Sequence, residues 1–323
     1  MKSFKHFDAE SVEEAVALLT EYGTRARVTA GGTDLLGVLK SEILADYPEA
    51  LINLKTISGL DGIEADKREV TIGALTRLAE VADSPLVKNS CPALALSAAS
   101  VGSPELRNMG TIGGNLCQDT RCWYYRYPDK MGGRVSCYRK GKGPCHAIKG
   151  DNRYHAVLEG RKCFAVCPSD VAVALAALQA RVKTVSRAGE RTIPLANLYD
   201  ALGTVLAQDE LITWILIPTP SANAVQRFLK FRLRGSVDFA VVSVAAVLDM
   251  AEGVCRDACI VLGAVAPTPY RAVGAENILR GRALDGQLAA QAAQAALKDA
   301  KPLSRNAYKI EIAKTLVERV LQL

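Results

Sequence analysis

Cysteine is the residue type whose placement says most in this chain. Of nine cysteines in 323 residues, six (Cys117, Cys122, Cys137, Cys145, Cys163 and Cys167) fall between positions 117 and 167, with His146 and His155, two of the three histidines. An odd count in a long chain that opens Met1-Lys2-Ser3-Phe4-Lys5-His6, without the apolar core of a secretory signal, argues against a disulfide framework. The gaps are 14 residues from Cys122 to Cys137, seven from Cys137 to Cys145 and 17 from Cys145 to Cys163, and the one close pair is Cys163-x3-Cys167. Zinc modules present two such close pairs, whereas the thiolates of a cubane iron–sulfur cluster need only converge in space. The spacing therefore suits a four-iron cluster better than a structural zinc, with free buried cysteines as the bland alternative.

Two glycine pairs carry a second kind of chemistry: Thr29-Ala30-Gly31-Gly32-Thr33-Asp34 and Thr111-Ile112-Gly113-Gly114-Asn115. Paired glycines reach positive φ and let backbone N–H groups approach an anion such as a pyrophosphate. Neither is the Gly-x-Gly-x-x-Gly of a Rossmann fold or a P-loop, and a lone pair is more often a tight turn. Lys230, Arg232 and Arg234 alternate and would share one face of a strand, either an exposed edge or a cationic face near a phosphate.

These groups need elements to hold them. Ser11 and Glu14 form a capping box before the Val12, Ala15, Val16, Leu19 stripe, and Gly23 stops that helix. Strands are expected at Ala26–Ala30, Leu51–Leu54 and Val70–Gly73, and a small-residue helix at Ala93–Ala99. From Cys117 to about Lys162 no period survives, and a structureless excursion of that length must be held by something. Order resumes at Val171–Leu178 and Arg181–Ser186. Strands follow at Leu211–Ile217, Gln226–Leu233, Phe239–Asp249 and Ala258–Ala266, then helices at Gly286–Ala300 and Ser304–Leu323. Pro218-Thr219-Pro220 marks a boundary. Composition agrees with a folded chain: 49% hydrophobic, and 40 basic against 34 acidic residues for a net charge of +6. That charge is too small and dispersed for a nucleic-acid binder, and no apolar run is long enough to span a membrane. The expected location is the cytoplasm.

The run Ala30-Gly31-Gly32-Thr33-Asp34, followed by Arg107-Asn108-Met109-Gly110-Thr111-Ile112-Gly113-Gly114-Asn115, resembles the FAD-binding medium subunit of the molybdenum hydroxylase (xanthine dehydrogenase) family. The resemblance implies an α+β chain with an FAD-binding fold of the vanillyl-alcohol oxidase type, in subdomains 1–55 and 56–217. A C-terminal α+β domain of the CO dehydrogenase flavoprotein type, 218–323, would follow. It implies FAD contacts from Thr29, Ala30, Gly31, Gly32, Thr33, Asp34, Leu35, Leu36, Val101, Thr111, Ile112, Gly113, Gly114, Asn115, Asp170 and Lys230. An inserted loop at about 118–165, ending before Pro168-Ser169-Asp170, looks like that of the β subunit of 4-hydroxybenzoyl-CoA reductase, which carries an additional [4Fe–4S] cluster. On that reading Cys122, Cys137, Cys145 and Cys163 are the ligands, with Cys167 the alternative to Cys163.

The resemblance further implies an electron-transfer role with no catalytic residue on this chain. Partners would be a large molybdopterin subunit and a small subunit with two [2Fe–2S] clusters, as a dimer of heterotrimers. Ferredoxin would supply electrons for reductive dehydroxylation of an aromatic CoA thioester, in anaerobic degradation of aromatic compounds. The alternatives are the FAD subunit of another molybdenum hydroxylase, of the xanthine or aldehyde dehydrogenase type, and a non-catalytic zinc-stabilised scaffold.

Overall fold

In the computed structural model, residues 1–44, 46–128, 131 and 135–322 are described. The first fifty or so residues build a parallel three-stranded sheet in the order Lys5–Asp8, Ala50–Asn53, Ala26–Thr29. Parallel neighbours need crossovers, and the helices Val12–Tyr22 and Leu35–Lys40 supply them. Ser11 caps the first helix by accepting from the Glu14 amide, and Glu14 in turn accepts from the Glu10 amide.

A five-stranded antiparallel sheet follows, in the order Ile63–Ala65, Glu69–Gly73, Leu211–Pro218, Arg181–Ser186, Gly189–Pro194. Its central strand returns from more than a hundred residues downstream, and the sheet shares one core with the helices Leu78–Asp83, Pro92–Ala99 and Asp170–Ala177. A third sheet runs Ala224–Phe231, Val242–Ala251, Val254–Gly263, Tyr270–Arg271. The helices Gly286–Ala296 and Tyr308–Leu321 bury Leu288, Ala292, Val317 and Val320 in the same core as strand residues Val244, Leu248, Ile260 and Leu262. Among the described residues, no helix is long and apolar enough to cross a membrane.

Several boundaries differ from expectation. The strand anticipated at Ala258–Ala266 begins at Val254, because Glu252 (φ 51°) and Gly253 (φ 77°) make a two-residue hairpin turn that pairs Ala251 with Val254. Polar Arg256 and Asp257 hid those first residues. The strand anticipated from Phe239 begins at Val242, and Phe239 instead lies under the Arg121 guanidinium, 4.6 Å from its ring centre. The helix Gly286–Ala300 ends at Ala296, and Ser304–Leu323 begins only at Tyr308; its last expected residue lies outside the described residues.

Among the described residues of the long excursion there is no regular strand; the 3-10 turns Tyr138–Lys140 and His146–Ile148 and side chains of the C-terminal domain hold it. Buried Asn152 accepts from the Arg305 amide at 2.9 Å and donates to the Ala147 carbonyl and to Ser304 Oγ. Asn306 donates to the carbonyls of His155 and Ala156. Lys309, fully buried, donates from Nζ to the carbonyls of Tyr154, His155 and Ala264.

Burial pushes the Lys309 ammonium down to about 7. A folded-state value below the ordinary 10.5 means that between these two pH values the unfolded chain binds a proton the folded chain has released. This group's contribution to stability therefore rises with pH across that window, by at most about 1.4 kcal/mol per pH unit. Lys309→Met should remove that slope while taking this donor from the carbonyls of Tyr154 and Ala264, the His155 carbonyl keeping Asn306. Urea unfolding of both proteins across the window measures it, and parallel pH profiles would refute the assignment.

Candidate functional site

The strand Ala26–Thr29 delivers the first glycine pair to a cleft of about 600 Å³. Gly31 packs so tightly that an added Cβ would stand 2.0 Å from the Met109 carbonyl oxygen, so the two glycine loops touch through bare backbone. Gly32 holds φ at +69°. Among the described residues, the amides of Gly31, Gly32, Thr33 and Asp34 have no acceptor, and four such N–H groups at a cleft wall suit a diphosphate.

The second glycine pair is arranged differently. Thr111 caps the short helix Ile112–Leu116 by accepting from the Gly114 amide at 3.1 Å, while the Ile112 and Gly113 amides donate to the carbonyls of Thr76 and Ala74. These amides are already spent on the fold. Gly113 is required by close packing, since a Cβ there would lie 2.9 Å from the Ala74 carbonyl oxygen.

Thr29 through Leu35, Val101, Thr111, Gly113, Gly114, Asn115, Asp170 and Lys230 all line the cleft. Leu36 and Ile112 are not part of its wall: Leu36 is solvent-exposed and Ile112 lies wholly in the core. Asp170 and Lys230 face each other at 2.7 Å, both nearly buried, and Lys230 also donates to the Ser100 carbonyl. Ser169 joins them to the second loop by donating to Asn115 Oδ1 at 2.6 Å. The expected cationic row is shorter than three. Its strand ends at Phe231, Arg232 donates to the Ser100 carbonyl, and Arg234 turns to Asp238.

Asp34 has partners that sequence reading missed. Its carboxylate accepts from Arg126 at 2.6 Å, from Arg121 at 2.8 Å and from the Asp119 amide at 2.7 Å. Asp119 in turn accepts from the Tyr125 hydroxyl. The root of the inserted segment is thereby tied to the first glycine loop.

Beyond that tie, Cys122, Cys137, Cys145 and Cys163 line one small cavity with Tyr124, Tyr125, Tyr138, Arg139 and His146. Cys117 and Cys167 line the large cleft instead. Cys91, Cys255 and Cys259 pack in apolar cores. Burial pushes the Cys122 thiol up to about 11 and raises Cys145 as well, with the neighbouring cysteine sulfurs adding to both. Cys122 and Cys145 therefore resist ionising, an effect of burial that a bound multivalent metal centre reverses. Among the described residues, no three His, Cys, Asp or Glu side chains are disposed to hold a single metal ion. One tetrahedral zinc draws its sulfurs to about 2.3 Å from a common centre, whereas a four-iron cluster places each thiolate on a different iron. His155, noted in the sequence beside the cysteines, places its Nε2 3.2 Å from Cys122 Sγ, and Lys309, which the sequence reading missed, holds the His155 carbonyl.

The cleft, with its free amides and glycine contact, has the features of a site for a ligand that carries a diphosphate. Residues 2–220 match the family described as the FAD binding domain in molybdopterin dehydrogenase, and residues 227–323 match the CO dehydrogenase flavoprotein C-terminal domain. The chain belongs to the family of FAD-binding medium subunits of molybdenum hydroxylases, and its cofactor is FAD. It is 35% identical over 335 residues to the aldehyde oxidoreductase FAD-binding subunit PaoB of Escherichia coli K12, covering 99% of this chain and 98% of that one. It is 30% identical to the carbon monoxide dehydrogenase medium chain of Hydrogenophaga pseudoflava, covering 98% and 96%. Among solved structures, carbon monoxide dehydrogenase from Hydrogenophaga pseudoflava superposes with a TM-score of 0.79 at 27% identity, covering 98% of this chain and 96% of that chain. Quinoline 2-oxidoreductase from Pseudomonas putida 86 gives 0.77 at 26%, covering 99% and 97%.

The loop contact generates a direct test. Gly31→Ala should force the glycine loops apart and lower FAD retention at least tenfold, whereas Gly286→Ala, away from the cleft and with nothing within 4 Å of its Cβ, should retain flavin normally. Flavin-to-protein absorbance ratios after gel filtration measure both. Full retention in Gly31→Ala would sink the assignment of this wall.

Proposed function

We propose that this chain is an electron-transfer subunit carrying FAD in the large cleft and a [4Fe–4S] cluster on Cys122, Cys137, Cys145 and Cys163. The complex would include a large molybdopterin subunit and a small subunit with two [2Fe–2S] clusters, as a dimer of heterotrimers. The observation that carries the reading is the meeting of those four cysteines in one cavity while Cys117 and Cys167 face the other. FAD accepts electrons singly or in pairs and a four-iron cluster takes one at a time, so together they join carriers of different stoichiometry.

The chain's own residues hold and separate the two. The Gly31–Asp34 amides and Thr33 take the diphosphate, with Thr29, Ala30, Leu35 and Val101 shaping the wall. Thr111, Gly113, Gly114 and Asn115 close it from the other loop. Asp170 and Lys230 form a nearly neutral pair at the cleft wall. Arg121 and Arg126 hold Asp34 in place, so the insertion cannot shift without moving the flavin loop.

Ferredoxin, or an acidic one-electron carrier like it, suits the surface over the cysteines. Residues 118–165 hold 11 basic and four acidic side chains, a charge of +7 against +6 for the whole chain. Lys142, Lys149, Arg161 and Lys162 are exposed there. Salt should slow exchange with such a carrier, since exposed charges are screened over about 10 Å at 0.1 M ionic strength.

Two directions of flow are distinguishable. In the reductase reading, electrons enter at the cluster and leave through FAD to reduce a 4-hydroxybenzoyl-CoA-type thioester. Similarity over nearly the full length to an aldehyde oxidoreductase subunit supports the reverse, with an aldehyde as the electron source. In the assembled complex under anaerobic conditions, the second reading expects an aromatic or aliphatic aldehyde to bleach the flavin, and the first expects only a low-potential reductant to do so.

Iron and acid-labile sulfide should amount to one four-iron cluster on this subunit without stoichiometric zinc. Cys122→Ser, Cys137→Ser, Cys145→Ser and Cys163→Ser should each lose it, while Cys117→Ser and Cys167→Ser keep it. Electron paramagnetic resonance of the reduced variants reads this. One zinc and no labile sulfide would replace this reading with the scaffold, and loss in Cys167→Ser with retention in Cys163→Ser would change the fourth ligand.

A further inference from the structure

We infer that His155 donates a hydrogen bond from Nε2 to the sulfur of Cys122 and thereby sets the reduction potential of the cluster proposed above, on which this inference rests. The imidazole is almost fully buried, and its Nε2 lies 3.2 Å from Cys122 Sγ. A thiolate bound to iron has no proton to give, so at that distance it can only accept, and the ring nitrogen must be the donor. The other ring nitrogen, Nδ1, is buried with no partner among the described residues. A proton there would be stranded without an acceptor, so both ends of the ring favour the same tautomer.

The ring is not free to turn away. Trp123 packs edge-on against it at 5.5 Å between centres and Tyr124 lies at 6.0 Å on a tilted face. Its backbone is fixed from the C-terminal domain, where Asn306 and Lys309 both donate to the His155 carbonyl at 3.1 Å. His146, which lines the cavity, is differently used: its Nε2 faces the Ser136 carbonyl at 2.7 Å. His155 is therefore a positioning and tuning residue, distinct from the four ligands.

The physical effect has a definite sign. Reduction adds one electron to the cluster, and that charge is shared with its sulfurs. A donor aimed at a ligand sulfur stabilises the more negative, reduced form more than the oxidised one, which raises the potential. Removing the donor should make the cluster harder to reduce.

The test uses the assembled complex and follows the cluster by electron paramagnetic resonance during a redox titration. His155→Phe keeps the ring and removes the N–H. It should lower the reduced-to-oxidised ratio at a fixed poise about tenfold, equivalent to about 59 mV for a one-electron couple. The flavin potential should stay unchanged. His155→Gln, which can still offer an N–H, should recover most of the difference, and His146→Gln should leave the cluster potential alone. In wild-type protein labelled with nitrogen-15 histidine, pulsed resonance should detect a nitrogen coupled to the reduced cluster, lost in His155→Gln and kept in His146→Gln. An intact cluster of wild-type potential in His155→Phe, or no histidine coupling in the labelled protein, would overturn the inference. Should His155→Phe fail to retain a cluster, the labelled wild-type protein still decides. Absence of any four-iron signal in wild type would instead overturn the cluster reading itself.

Discussion

The carboxylate of Asp34 is the constraint on which the rest of the site depends. It ends the glycine loop that presents free amides to the cleft, and it receives both Arg121 and Arg126 together with the Asp119 amide. Charge-assisted hydrogen bonds of this kind are roughly twice as strong as neutral ones, and here one acid serves three donors from a segment without regular structure. Without that anchor, the chain leaving the helix Ile112–Leu116 would have no defined path toward Cys122. One interaction thus links the placement of the flavin to the placement of the cysteines.

Two devices of different origin hold the excursion at its two ends. The near end is electrostatic and local to the cleft. The far end is a set of buried amide and ammonium donors, Asn152, Asn306 and Lys309, that satisfy backbone carbonyls which no strand or helix claims. Backbone polar groups buried away from water must find partners, and a loop that enters the interior has to borrow them from side chains. This explains how a segment with no regular strand among its described residues can line a cavity.

Much of the frame was legible because it rests on local signals. Gly31, Gly32 and Ser11 betray their roles by residue type, and the apolar runs in Leu211–Ile217 and Phe239–Asp249 pointed to strands that exist nearly where expected. What could not be read is what depends on distant partners. Asp34 and Arg126 are 92 residues apart, and Asn152 and Arg305 are 153 apart, with no spacing rule connecting them. The different use of the two glycine pairs was hidden for the same reason: only the fold shows that the Gly113 amide is claimed by Ala74 while those of the first loop are left open. Lys309 reads as one more charge on an amphipathic helix, and only its three carbonyl partners reveal it as an interior strut.

The grip of Asn306 and Lys309 on the carbonyls of residues 154–156 has a consequence for the order of events during synthesis. Cys163 is made 143 positions before Asn306. All four cysteines therefore emerge long before the residues that fix the wall behind them, and during that interval they hang on an unbraced strand of chain. The carbonyls of residues 154–156 gain these donors only once the C-terminal segment has been made and has docked, so this part of the excursion is completed by the last residues to be synthesised.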